Sequence, residues 1–101
     1  MSSTSLLSFI DMDDNFIKCP KCNDSYTHQG KIEIFNRSED ESEGTHVAVR
    51  FHEIKIDKNL EGNPSSRRQG VTINMTCESH EHNFKVNIYQ HKGQTLVNVV
   101  S

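Results

Sequence analysis

Tryptophan is absent, aromatic side chains supply 7% and apolar side chains 33% of the 101 residues, against an apolar share of about 45–50% in average soluble domains. Leu, Ile, Val and Phe together number 24, enough to exclude a disordered chain but thin for a core that stands unaided. A chain this lean needs a staple, such as a metal, a disulfide or a partner. No apolar run approaches the roughly 20 residues that span a bilayer, which excludes an integral membrane protein. Cysteine is scarce too, at three residues. Residues 1–16 lack an early Lys or Arg and a long apolar stretch, so a secretory leader is not expected. An odd, small cysteine count without such a leader argues against a disulfide framework and for a reducing compartment, the cytoplasm by default.

Charge of one sign is lacking as well. The net charge is −3 and the pI near 6.0, not those of a generic nucleic-acid binder. Residues 1–30 sum to −2 and 31–44 to −3, whereas 45–70 sum to +2 and 71–101 to zero. The basic excess is a small patch around Arg67 and Arg68. Finally, no 12-residue helical pattern occurs after residue 17, which excludes folds built of βαβ units.

What remains is alternation. Lys31-Ile32-Glu33-Ile34, Val71–Thr76, Asn83–Gln90 and Thr95–Val100 each read as strands with period two. In 46–56, Val47, Val49 and Phe51 share one side while Ile54 and Ile56 fall in the opposite phase. A single strand bulged near Glu53 or two strands with a tight bend both explain that switch. Lys92-Gly93 marks the turn between the last two strands. The expectation is five or six short antiparallel strands over residues 18–101. Residues 1–17 form an extension, in which Leu6, Leu7, Phe9 and Ile10 could line a short helix capped by Ser5. Residues 37–44 read as a solvated connector, and 57–70, with Gly62, Gly70 and Pro64, as a long functional loop.

The chemistry sits in two half-sites. Cys19-Pro20-Lys21-Cys22 is a C-x-x-C, and Cys77-Glu78-Ser79-His80 is a C-x-x-H followed by His82. A two-residue gap lets both ligands of one turn reach a single tetrahedral Zn²⁺. Pro20 presets φ for the turn, and Asn23 stands where a left-handed residue is commonly needed. The 54 residues between Cys22 and Cys77 exceed the compact spacing of about 15–20, so the intervening strands must return the chain. The expected ligands of a structural Zn²⁺ are Cys19, Cys22, Cys77 and His80, with His82 as competitor. A thioredoxin-like pair would need a helix after Cys22, and NDSYTHQGK is a poor one. The deaminase and H-E-x-x-H signatures are absent. A metal- or thiol-dependent enzyme using Cys19, Cys22 and Cys77 stays the alternative to a non-enzymatic binding or adaptor module. For such a module, Arg67, Arg68 and Lys92 are the candidate partner contacts, with protein and nucleic acid both open. Against this, Arg67 and Arg68 could instead brace a turn by pairing with the acidic 37–44 segment. Tyr26, Phe35 and Tyr89 could stack on bases if exposed.

FIKCPKCNDSYTHQGKIEIF, GNPSSRR, a second knuckle and QHKGQTLV together resemble a group of small bacterial and phage-type zinc-ribbon proteins over residues 17–100. The resemblance implies an antiparallel sheet with two knuckles at one end, and no particular activity. The group's second knuckle reads C-x-x-C, from which Cys77–His80 departs.

Overall fold

Alternating side chains make strands, and here the strands make one broad sheet. The computed structural model describes residues 16–101 throughout, together with the backbone of Ser3–Thr4 and Ile10–Asp11. The strands are β1 (Ser3–Thr4), β2 (Ile10–Asp11), β3 (Phe16–Ile17), β4 (Thr27–Asn36), β5 (Thr45–Arg50), β6 (Glu53–Asp57), β7 (Gly70–Cys77), β8 (Asn83–His91) and β9 (Gln94–Val100). Seven of them form an open antiparallel sheet in the order β1-β9-β8-β7-β4-β5-β6, while β2 pairs with β3 apart from it. The chain is therefore all-β. No helix of the described residues is long and apolar enough to cross a membrane. The expected helical face of Leu6, Leu7 and Phe9, with its Ser5 cap, lies outside the described residues. Ile10 is in strand β2, opposite Ile17, rather than in a helix.

The phase switch of residues 46–56 is a tight bend. Val49 faces Ile54 and Arg50 faces Glu53, which leaves Phe51-His52 as the turn and puts Val47, Val49, Ile54 and Ile56 on one face. At the β8–β9 hairpin, Lys92 and Gly93 both take positive φ, 51° and 77°, the two-residue geometry that follows the twist of the strands.

One pairing decides the rest. β4 and β7, far apart in sequence, lie side by side, with Thr27 opposite Cys77 and Phe35 opposite Gly70. β5 and β8 bury alternate residues, and β7 buries Gly70 and Thr72 in one phase and Met75 and Cys77 in the other. On one face Met75, Phe84, Val86 and Val99 join Cys19 and Cys77 in the core, with Ile17, Cys22 and Ile73 packed against them. Farther along that face Ile54 and Ile56 are each 68% exposed. On the other face Phe35, His46 and Thr72 are buried under loop 58–69. His46 stacks on Phe35 at 4.7 Å and sits between Asp57, 2.8 Å from its Nδ1, and Glu33, 3.4 Å from its Nε2.

That loop is organised by its own polar side chains. The buried Ser65 hydroxyl donates to the Gln90 carbonyl at 2.8 Å and accepts from the Arg68 N–H at 2.9 Å. Asn63 accepts from the Ser65 N–H and donates to the Arg68 carbonyl. The Arg67 guanidinium grips Asp40 through two bonds of 2.6 and 2.7 Å, and the Asp40 N–H returns one to the Arg67 carbonyl. GNPSSRR thus closes a turn onto the acidic 37–44 segment.

Two predictions follow from this packing. A Cβ at the buried Gly70 would lie 2.7 Å from Pro64 Cγ, within a ring that cannot swing aside. Gly70→Ala should lower stability by about 1–3 kcal/mol, read as a lower urea midpoint, and an unchanged midpoint would mean the loop is not pressed on the sheet. The Asp40 carboxyl is held below its ordinary range mainly by the Arg67 hydrogen bonds, with the charges of Arg67 and Arg37 adding to them. Asp57 is held down first by the Asn59 N–H and then by His46. Groups with depressed values stabilise the fold fully above the unfolded carboxylate pKa of about 4 and lose that contribution as pH falls through the folded value. The urea midpoint should accordingly drop between pH 5 and pH 3, and less steeply in an Asp40→Asn/Asp57→Asn double variant; parallel pH curves for the two proteins would contradict the assignment.

Candidate metal centre

Two short turns with one hydrogen-bond pattern build the site. In the first, the Cys19 N–H donates to the Asp24 carbonyl at 2.9 Å and the Asn23 N–H to the Cys19 carbonyl at 2.8 Å, with Asn23 at φ 60°. In the second, the Cys77 N–H donates to the His82 carbonyl and the Glu81 N–H to the Cys77 carbonyl, both at 3.0 Å, with Glu81 at φ 54°. Cys19 thus corresponds to Cys77, Cys22 to His80, Asn23 to Glu81 and Asp24 to His82. Backbone N–H groups are aimed at sulfur in both turns: Lys21 at Cys19 Sγ (3.4 Å) and His82 at Cys77 Sγ (3.3 Å). Such donors ease the burial of negative sulfur.

The turns are tied face to face. β4 leaves the first and β7 enters the second, so their pairing at Thr27 and Cys77 cancels the long separation in sequence. The Glu78 N–H donates to the Tyr26 carbonyl at 2.9 Å. Asp24 accepts from the Ser79 N–H at 2.8 Å and from the Tyr26 N–H at 3.0 Å, which keeps its carboxyl below the usual range, the Tyr26 N–H foremost.

Together these contacts bring one ligand atom each of Cys19, Cys22, Cys77 and His82 within 4.8 Å of one another. Cys22 Sγ is 3.7 Å from Cys77 Sγ, and Cys19 Sγ is 3.7 Å from His82 Nδ1. A disulfide needs about 2.05 Å, so these sulfurs are free thiols. Bonds of about 2.3 Å to sulfur and 2.0–2.1 Å to nitrogen around a tetrahedral ion imply edges of about 3.8 and 3.6 Å. Two edges of the cluster already have those lengths. Cys19 and Cys77 are buried, and Cys22 and His82 half-buried.

His82, not His80, stands with the thiols. His80 is exposed and stacks on the outside of His82 at 5.4 Å. Left-handed Glu81 reverses the chain, so the residue after it is the one that comes back toward Cys19. Equal spacing in the two motifs pointed to His80; the turn geometry moves the nitrogen two residues on. The three basic candidates lie at the opposite end of the sheet. Arg67 pairs with Asp40, and Arg68, whose carbonyl accepts from Asn63 and Arg37, belongs to the same closed loop. Lys92 stands exposed on the β8–β9 turn. Phe35 is buried, while Tyr26 is exposed.

Two of the thiols are shifted in opposite directions. For Cys22 the Asp24 N–H favours the thiolate, but burial and the Cys19 and Cys77 sulfurs outweigh it and push the thiol up to about 11. For Cys77 burial also opposes ionisation, yet the N–H groups of His80 and His82 and the neighbouring thiols prevail, and its value falls. Burial opposes ionisation at both thiols, while backbone N–H groups favour it. Three thiolates and an imidazole suit a soft or borderline ion such as Zn²⁺, and metal binding would release the remaining thiol protons.

Compared with known proteins, the chain matches no family model, no curated protein and no solved structure.

The two histidines can be told apart by competition for Zn²⁺ against a chromophoric chelator. His82→Ala should weaken binding by more than about a hundredfold, whereas His80→Ala should stay within the roughly 10–100-fold of a group outside the ligand shell. Equal losses, or a larger loss for His80→Ala, would reverse the assignment.

Proposed function

We propose that this chain is a non-enzymatic binding module of zinc-ribbon type, stabilised by one structural Zn²⁺ on Cys19, Cys22, Cys77 and His82. The observation that carries the reading is the convergence of four ligand atoms from two remote turns to within 4.8 Å. Four protein ligands complete a tetrahedral shell and leave no position for water or substrate, which is the arrangement of structural rather than catalytic zinc. The need for the ion also favours it: the core is small, and structural zinc adds on the order of 10 kcal/mol or more of folding free energy against a net stability of about 5–15 kcal/mol. A reducing compartment such as the cytoplasm would keep the three thiols available to the metal.

Chelation tests the reading on the purified chain. With loss of metal verified by elemental analysis, the amide resonances of residues 18–27 and 76–84 should collapse and the urea transition should shift to much lower concentration. Spectra that survive complete metal loss unchanged would overturn a structural role. Cobalt(II) substitution separates the enzymatic alternative: a closed shell gives tetrahedral absorption that added anions leave unaltered, and an anion-sensitive spectrum would reveal an open coordination position.

A further inference from the structure

The face of the sheet that carries Thr72 is covered over only half its area. Loop 58–69 roofs the half above Phe35 and His46. The half next to the metal centre holds a cavity of about 720 Å³, within the range of about 300–1,000 Å³ typical of ligand sites. Its floor is made by two cross-strand pairs, Asn74 with Lys85 and Thr76 with Asn83. One wall is the β5–β6 turn, with Arg50 and Phe51. Lys31 forms part of another, where the β4–β7 ladder breaks between Gln29 and Ile32.

The charge of this cavity runs against that of the chain. Although the protein carries −3, the described residues that line the cavity include three cations and no acidic side chain. The Lys31 ammonium is shared with Glu33 at 3.1 Å. Arg50 lies over the Phe51 ring, 5.7 Å from its centroid, and Lys85 has no ion-pair partner among the described residues. Phe51 itself is out of place by every folding criterion. It is 87% exposed, so its ring gains nothing from burial, and it holds φ at 54°, a conformation that a bulky residue rarely adopts and that glycine would relieve. Side-chain amides of Asn74 and Asn83 line the same cavity. Asn74 donates to the Lys31 carbonyl and Asn83 accepts from the Thr76 hydroxyl, which leaves the Asn83 NH₂ as a donor for a ligand.

An exposed ring flanked by cations and amides matches a planar base followed by phosphates. Aromatic stacking is tolerant of base identity, and Lys and Arg track the backbone. We propose that this cavity binds a short stretch of single-stranded nucleic acid, one base stacked on Phe51 and the adjoining phosphates held by Arg50 and Lys85. A duplex offers no unstacked base to the ring and should bind poorly. The proposal names a partner for the metal-stabilised module, but it uses none of the metal ligands and can fail separately.

Fluorescence anisotropy with a labelled 12-nucleotide oligothymidine and a duplex of equal length, on the full chain at measured metal content, tests it. Saturable binding of the single strand is expected, with log affinity falling against log salt at a slope of about −1.4 to −2 for two or three phosphates. Lys85→Gln should flatten that slope by about 0.7. Phe51→Gly should weaken binding about tenfold or more while the urea midpoint stays level or rises, since glycine suits the turn. No binding at low salt, equal affinity for the duplex, or a Phe51→Gly protein that binds like the parent would each overturn the site. A chain that keeps its fold after chelation would defeat the metal reading instead and leave this one standing.

Discussion

The antiparallel pairing of β4 with β7 is the constraint from which the rest follows. The first knuckle is continuous with the start of β4, and the second with the end of β7. Once Thr27 lies opposite Cys77, the two turns have no choice but to meet, and the contacts of Asp24 with Ser79 and of Tyr26 with Glu78 fix the angle at which they do. The dependence runs both ways. Long-range strand pairing must meet a loop-closure cost before it is rewarded, and a bond set that joins the ends of both strands offsets that cost where it is incurred.

The position of the thiols within the fold shows why a small apolar inventory suffices. Cys19 and Cys77 are fully buried members of the same cluster as Met75, Phe84, Val86 and Val99. They do the packing work of small apolar residues within the hydrophobic cluster at that end of the sheet. Toward β6 no such cluster forms among the described residues, and Ile54 and Ile56 are each 68% exposed. Burial is therefore graded across the described residues, dense near Cys19 and Cys77 and sparse at the β5–β6 edge, where few buried contacts oppose local opening.

Much of this was legible in the residue order. Period-two alternation located β5, β7, β8 and β9, and the C-x-x-C and C-x-x-H spacings located both turns, because each pattern expresses a local geometric requirement. The two-residue strands β1, β2 and β3 carry too few residues to show any period. The choice between His80 and His82 as fourth member of the cluster is not legible in the spacing, for a different reason. Ligand spacing counts residues, whereas the turn at Cys77 reverses through left-handed Glu81, a conformation that glutamate does not advertise. Phe51 went unnoticed because it continues the alternation of Val47 and Val49, so pattern alone assigns it to a strand interior. Only the pairing of Arg50 with Glu53 shows it to be a turn residue. Arg67 illustrates the opposite case, since the choice between a ligand grip and a brace depended on whether an acid lay near, and Asp40 does.

A local conflict in the thiol cluster then says something about the folded state as a whole. Native sequences rarely gather groups that oppose one another's ionisation inside a core, because consistency across levels is what gives a fold its energy gap. Here burial and mutual proximity raise Cys22, while N–H groups aimed at Cys77 favour its thiolate. The backbone of both turns is arranged for negative sulfur, and the hydrophobic cluster around them is arranged against it. A divalent cation would reconcile the two demands at once, neutralising the sulfurs that the turns stabilise and letting the apolar layer close over them. That tension between the turns and the core, independent of any ligand count, is what supports the proposed metal-stabilised reading.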